Sequence, residues 1–351
     1  YDNYNFPSAA TLPATIEGQD VLQNAKGMPT GNWIRVLTKA SEFNGNNTTI
    51  FYDKKERVIK TSKTNYLGGY THIVSNIDYI GKTLNRITSH QLDNNSTFPS
   101  YQINDTYEYN LQDRLALHKQ QINSEPEQLI VKNTYNSLGQ LTSKNVGGTD
   151  TTGSIGLQKV DYSYNIRGWL TGINNEQEYS QPGIALGTGD IFGFKLRYNS
   201  LEGENIPNVK SLYNGNIAET QWKTITDGGV LRKYSYHYDD LNRLKKATYQ
   251  KPNNIVTTTN AYNEELSYDK NGNITSLLRN GLADENTEIM IDNLTYSYDA
   301  TNLNQLIKVF DSSNVNEGFR DDSDGLSDTS NDYTYDVNGN MLEDTNKDII
   351  G

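Results

Sequence analysis

Cysteine is absent from the 351 residues. That excludes disulfides, thiolate metal sites and a cysteine nucleophile, and it fits the cytoplasm and a disulfide-free cell surface equally. Long apolar runs are missing too. None approaches the ~18–20 residues that a membrane-spanning helix needs. The net charge is −12, and the longest basic patch, Arg243–Lys246, is short. A nucleic-acid-binding surface would show clustered Lys and Arg, so no nucleic-acid partner is expected. Helical periodicity is nearly absent. Glu125–Asn133 could form one or two helical turns, and a strand at Leu129–Val131 is an equal reading. No signal-peptide pattern opens the chain. It begins in mid-pattern at Tyr1-Asp2 and stops after Ile349-Ile350-Gly351, so both ends read as cuts in a longer polypeptide.

What is present is tyrosine: 25 residues against 8 Phe and 3 Trp, in a chain only 34% hydrophobic. Tyr favours strands, buries a large ring and keeps a hydroxyl that needs a partner. Low hydrophobicity alone would also fit disorder, but disordered chains lack regular strand and turn patterning. Such patterning is clearest in Tyr234–Leu278. There YSYHYDDLNRLKKATYQ is followed by LSYDKNGNITSLL, and each reads as one β-hairpin. In the second, Asn271-Gly272 lies between two alternating runs, the strongest short hairpin signal, because both residues tolerate the positive φ of a tight turn.

The same unit recurs along the chain. Tyr52-Asp53 opens a copy through Val58-Ile59, and Tyr79-Ile80-Gly81 a degenerate one. Then come Tyr109-Asn110, Tyr135-Asn136 with Gly139, and Tyr164-Asn165 with Gly168. The series continues with Tyr238-Asp239, Tyr268-Asp269, Tyr298-Asp299 and Tyr335-Asp336, the last with Gly339. Tyr238, Tyr268 and Tyr298 are 30 residues apart. Elsewhere the spacing varies, as it does when insertions fall in surface loops. Within a unit, Asp or Asn is suited to bonding turn backbone and Gly supplies the left-handed residue. The return strand sets aliphatics such as Leu241, Leu244 and Ile274 opposite the Tyr face. One hairpin cannot bury that face alone. Hairpins must add side by side, giving an all-β chain whose long antiparallel sheet curls because strands twist. Tyr rings stacked across neighbouring strands would hold the strip together.

Repeated Tyr-Asp with a Gly turn and a Leu- or Ile-containing return strand resembles the YD repeats of Rhs (rearrangement hotspot) proteins. These include wall-associated and teneurin-like relatives and the shell components of insecticidal toxin complexes. The resemblance runs from about Phe51 to the end and is most specific in YDDLNRLKKATY, YDKNGNITSL and YDVNGNML. It implies a strip that spirals into a hollow shell around a C-terminal toxin or effector segment, in a secreted or cell-surface protein served by a secretion or delivery machine. The family's Rhs core, a block rich in Arg, Tyr, Asp and Pro that cuts off the toxin by aspartyl self-cleavage, has no counterpart here. The expectation is therefore a non-enzymatic shell segment, with residues 1–50 a divergent start and 51–351 the repeat strip. The rival is a surface adhesin or stalk whose Tyr-rich face binds glycans.

The other chemical signals are sparse. His72, His90, His118 and His237 have no partner at metal or triad spacing, and no H-E-x-x-H, P-loop or G-x-S-x-G occurs. Gly187-Thr188-Gly189 lacks the Gly-Lys and helix of a phosphate loop. With Gly325 at loop position six, Arg320 and Asn331 fall at two EF-hand ligand positions that neither suits. A looser calcium site through Asp321, Asp322, Asp324 and Asp328 stands beside the reading of a solvated acidic loop. Paired carboxylates such as Asp239-Asp240 and Glu264-Glu265 need a facing geometry before they suggest glycoside chemistry. No cofactor and no catalytic residue are assigned.

Overall fold

The computed structural model describes residues 1–351 other than 7, 95–98, 178–179, 204–205, 253–259, 284–286, 314, 316, 321–330, 348 and 351. Among the described residues there is no α-helix. Strands dominate, with single 3-10 turns at Ile225–Asp227 and Thr345–Lys347. The all-β expectation therefore holds. The helical reading of Glu125–Asn133 gives way to a strand, Gln128–Tyr135, where Ile130 and Val131 favour the extended chain.

The chain divides into two compact units, Tyr1–Asp161 and Tyr162–Gly351. In the first, strands from Gly31–Arg35 through Leu141–Val146 each pair antiparallel with the next in sequence. Residues 158–161 then pair with Ser143–Val146. The N-terminal residues pack on this sheet: Ile16 and Val21 join Phe51 and Ile59 in a buried cluster, and Tyr4 stacks on Phe51. In the second unit the same meander runs from residues 162–164 to Leu306–Asp311. A three-stranded sheet follows, from Tyr333–Tyr335 to Ile349–Ile350. Leu294, Val309 and Tyr333 form its buried cluster.

Among the described residues, nine hairpins share one geometry. The residue before the turn faces the first return residue: Tyr52 faces Val58, Ile77 Thr83, Tyr109 Leu115, Tyr135 Leu141 and Tyr164 Leu170. Likewise Tyr238 faces Leu244, Tyr268 Ile274, Tyr298 Leu306 and Tyr335 Met341. One return residue is then skipped before the ladder resumes, a β-bulge that sharpens the local twist. The turn itself differs from the two-residue form that Asn-Gly signals. The Asp269 N–H donates to the Asn273 carbonyl and the Gly272 N–H to the Asp269 carbonyl, and within 269–273 only Gly272 has positive φ. This is a type I turn closed by a left-handed residue, a three-residue loop. Glu56, Asp113 and Asn242 hold the left-handed position elsewhere.

Two further placements change. The degenerate copy is centred on Ile77-Asp78, not on Tyr79, which lies in the turn and is exposed. Leu241 is at a turn tip, and Leu244 alone of that pair faces the Tyr.

Candidate functional site

Each turn is built around one acidic or amide side chain. Asp53 Oδ1 accepts the backbone N–H groups of Lys55 and Arg57, and Asp239 those of Leu241 and Arg243. Asp269 and Asp336 repeat this two and four residues on. Asp299, in a loop two residues longer, takes Thr301 and Asn302. Asn110, Asn136 and Asn165 act alike. So do Asp78 and Asn65, which the Tyr-centred pattern passes over. The fourth residue after the Asp then links turn to turn. Arg57 and Arg243 hold their own Asp53 and Asp239 carboxylates, and also donate to the carbonyls of Asp78 and Asp269 in the following turns. Asn273 bonds Asp269 and reaches the Leu303 carbonyl at 2.9 Å.

These bonds set the ionisation of the carboxyls. The Arg243 backbone N–H, then its guanidinium, holds Asp239 below the usual carboxylate range. The Asn340 amide does the same for Asp336, and the Asn302 N–H for Asp299. For Asp53 and Asp269, burial pushes the other way and is outweighed by Arg57 and by Asn273.

The tyrosines stitch successive hairpins through their hydroxyls. Tyr109 donates to the Thr83 carbonyl at 2.9 Å, Tyr135 to Leu115 at 2.9 Å, Tyr268 to Leu244 at 2.8 Å, Tyr298 to Ile274 at 2.9 Å and Tyr335 to Leu306 at 2.8 Å. Each acceptor is the first return residue of the preceding repeat. Tyr52 and Tyr238 reach Pro29 and Ile217. Tyr198, which sequence reading left out of the repeat, donates to Leu170; its signal was the Tyr198-Asn199 dipeptide. Cations from the preceding turn lie over the same rings: Lys82 over Tyr109, Arg114 over Tyr135 and Arg243 over Tyr268, the last at 4.6 Å. Burial pushes the hydroxyls of Tyr52, Tyr164, Tyr238, Tyr268, Tyr298 and Tyr335 upward. Ring stacking across neighbouring strands is found at another position, Trp222–Tyr234, while Tyr234 and Tyr236 stack along one strand.

Gly168 and Gly339 hold left-handed turn positions. Gly139 does so as well, and a Cβ there would lie 2.1 Å from the Arg114 guanidinium that packs over it. Turn tips carry exposed aliphatics: Ile80, Leu111 and Leu138 in the first unit, and Ile166, Leu241, Leu303 and Val337 in the second.

The remaining sequence candidates are dispersed. His118 bonds Asp105 at 2.8 Å and stacks on Tyr107, His72 bonds Ser62 and His90 bonds Thr71. Among the described residues no group of three metal-ligating side chains assembles. The Gly187 N–H is taken by Asp190, a carboxylate where a phosphate loop needs open donors. Glu264 and Glu265 are adjacent in a strand, so they point to opposite faces, and Glu265 pairs with Lys246. Asp321, Asp322, Asp324 and Asp328 lie outside the described residues.

Two features of the second unit were not legible in the sequence. A pocket of about 440 Å³ is lined by Tyr164, Arg167, Trp169, Tyr198, Asn199 and Tyr213; the Trp169 and Tyr198 rings are 5.0 Å apart. The other feature is a polar patch across four strands. Lys195, Gln221, Lys233 and Gln250 form one cross-strand row, and Arg197, Glu219, Ser235 and Thr248 the next. All eight are buried. The Lys233 ammonium donates to Glu219 at 2.9 Å and to the Glu202 carbonyl. Arg197 pairs with Glu202, and Lys195 donates to the Gln181 and Gly183 carbonyls.

By fold, the chain is an all-β protein of antiparallel hairpin repeats. No protein-family model matches it, and no curated protein does. Solved structures similar to it include a complex of TcdB2-TccC3 with Cdc42 (10% identity, TM-score 0.21, covering 83% of this chain and 19% of that one). A Photorhabdus luminescens Tc holotoxin pore carrying a TccC3 mutation is also similar (10% identity, TM-score 0.25, 90% and 20%). A third is a porin-like protein from Bacteroides uniformis (9% identity, TM-score 0.26, 74% and 92%). The chain thus spans about a fifth of the two toxin-complex chains it matches. No helix among the described residues is long and apolar enough to cross a membrane.

Proposed function

We propose that this chain is a wall segment of a secreted Rhs/YD-repeat shell, and that its work is to enclose a toxin or effector segment rather than to catalyse a reaction. The observation that carries this reading is the repeated stitch: a Tyr hydroxyl to the preceding return strand, a cation over the same ring, and a side chain from one turn to the next turn's carbonyl. All three contacts meet where Arg243 and Tyr268 join successive hairpins, and other repeats share one or two of them, so much the same chemistry recurs from one neighbour to the next. A wall needs that property and an active site does not. The apolar turn tips favour coverage by a further stretch of wall, since aliphatic side chains in a row are costly to leave in water. Electron microscopy of the native protein tests the reading: a hollow particle with density inside is expected, and an open rod would overturn it.

A second reading, a glycan-binding surface, is favoured by the pocket at Trp169. Its lining combines aromatic rings with Arg167 and Asn199, the Arg167 guanidinium lying 5.1 Å from the Trp169 ring centroid, and sugars stack their C–H faces on aromatic rings. Binding on a glycan array that is lost in Trp169→Ala would establish it, and an array with no signal removes it.

A further inference from the structure

We infer that Asn271 and Asn338 are sites of spontaneous covalent modification, where the folded chain turns a side-chain amide into an acid or a β-linked isoaspartate. Five Asn-Gly pairs occur, at Asn44, Asn214, Asn271, Asn280 and Asn338. The pair is reactive because Gly has no side chain to shield its nitrogen from the preceding amide carbon. The step is intramolecular, with both reacting groups already close. The Gly nitrogen bonds the Asn Cγ, the amide nitrogen leaves as ammonia with the Gly proton, and a cyclic succinimide remains. Water then opens the ring at either carbonyl. One opening gives Asp; the other gives isoaspartate, with an extra carbon in the main chain. No reagent but water is consumed.

The fold separates the five pairs. Three are tied. Asn44 Nδ2 donates to the Glu42 carboxylate, Asn214 Nδ2 to Asn242 Oδ1 at 2.6 Å, and Asn280 Nδ2 to the Asn260 carbonyl. Asn280-Gly281 also lies inside a strand, and Trp33 and Ile291 crowd Gly45 and Gly281. Such an amide must give up its bond before its Cγ can swing onto the next nitrogen. Asn271 and Asn338 are exposed, and their side-chain amides have no hydrogen-bond partner among the described residues. Both stand in the same turn, before Gly272 at φ +94 and Gly339 at φ +83, each with nothing within 4 Å of an added Cβ. What must yield is the Gly N–H bond to the turn-opening carbonyl, 3.3 Å to Asp269 and 3.0 Å to Asp336, a neutral bond of modest net worth. The product changes the turn. Asp269 Oδ1 accepts the N–H groups of Asn271 and Asn273, and the extra main-chain carbon falls between those two donors. The isoaspartate form therefore loosens the turn and the Asn273 link to the Leu303 carbonyl.

The test is a peptide map of the full chain after incubation at mildly alkaline pH, folded and, in parallel, unfolded in guanidinium chloride. Isoaspartate is read by enzymatic methylation and by fragmentation of each peptide. In the folded chain Asn271 and Asn338 are expected to convert while Asn44, Asn214 and Asn280 stay amides; in the unfolded chain all five convert. Asn271→Gln should fold, because it alters a free and exposed side chain, and should lose conversion at that position, because Gln must close a larger ring. Amide exchange at residue 273 should rise as the wild type ages and stay constant in Asn271→Gln. Either free amide staying intact in the folded chain, or any of the three tied amides converting as fast, overturns the inference. So does exchange that rises equally in the two proteins.

Discussion

Tyr268 closes its own hairpin opposite Ile274, and its hydroxyl holds the Leu244 carbonyl of the hairpin before. Removing the hydroxyl leaves that carbonyl without its partner. Tyr268→Phe should therefore cost about 0.5–1.5 kcal/mol in denaturant unfolding. Tyr79→Phe, at an exposed turn ring, should cost nothing measurable. Equal effects would mean that the hydroxyl link carries no stability. Glycine positions separate two causes in the same way. At Gly272, with φ +94 and nothing within 4 Å of an added Cβ, alanine meets only the left-handed penalty, about 1–2 kcal/mol. At Gly139 the added Cβ also displaces the flexible guanidinium end of Arg114 from its place over Tyr135, so Gly139→Ala should cost slightly more, and a cost below that of Gly272→Ala would show that Arg114 is not held there. Ionisation sets the pH limits. The turn carboxyls Asp239, Asp299 and Asp336 are held below their ordinary range. Their contribution is present above about pH 4 and lost as pH falls through the folded-state values. Partial burial raises the Tyr238, Tyr268 and Tyr298 hydroxyls, so their contribution is present below about pH 10 and lost as pH rises beyond it. A melting temperature that stays constant from pH 8 to 11.5 (roughly, the range spanning the ordinary Tyr value) would contradict the second half.

At the scale of the element, the hairpin was the legible part of the sequence. Tyr, then Asp or Asn, then a left-handed residue, then an aliphatic is a local pattern, and local patterns fix turns. The skipped return residue was not legible, because a bulge changes pairing without changing composition. Nor was the reach of Arg243 into the next turn, since nothing in YDDLNRL names its distant partner. Ile77 escaped a search keyed on Tyr because the Asp78 turn, not the ring, defines the unit. The buried patch was hidden for another reason. Strand alternation places Lys195, Gln221 and Lys233 on one face, but a Lys in a polar sequence reads as solvent-facing. Burial there depends on chain near Gln181 and Glu202 folding over the strands. The turn-to-turn bond makes its own prediction. Arg243→Ala should speed amide exchange in its own turn and in the turn opened by Asp269, and leave the Asp336 turn unchanged. Exchange confined to residues 239–243 would show that adjacent turns are not coupled.

For the whole molecule, the container reading turns on what the chain would hold and on what would cover its edges. The aliphatic tips at Leu111 and Leu138 should make the isolated chain self-associate. Replacing both with Ser should raise the monomer fraction in sedimentation, and an unchanged distribution would place the association elsewhere. The most direct test of the container reading is intact mass and C-terminal sequencing of the native protein, with its co-purifying material. The account predicts a longer chain whose C-terminal segment is cleaved yet stays with the shell and resists added protease until the shell is unfolded. A native chain with no such segment, or with one digested at once, would contradict it.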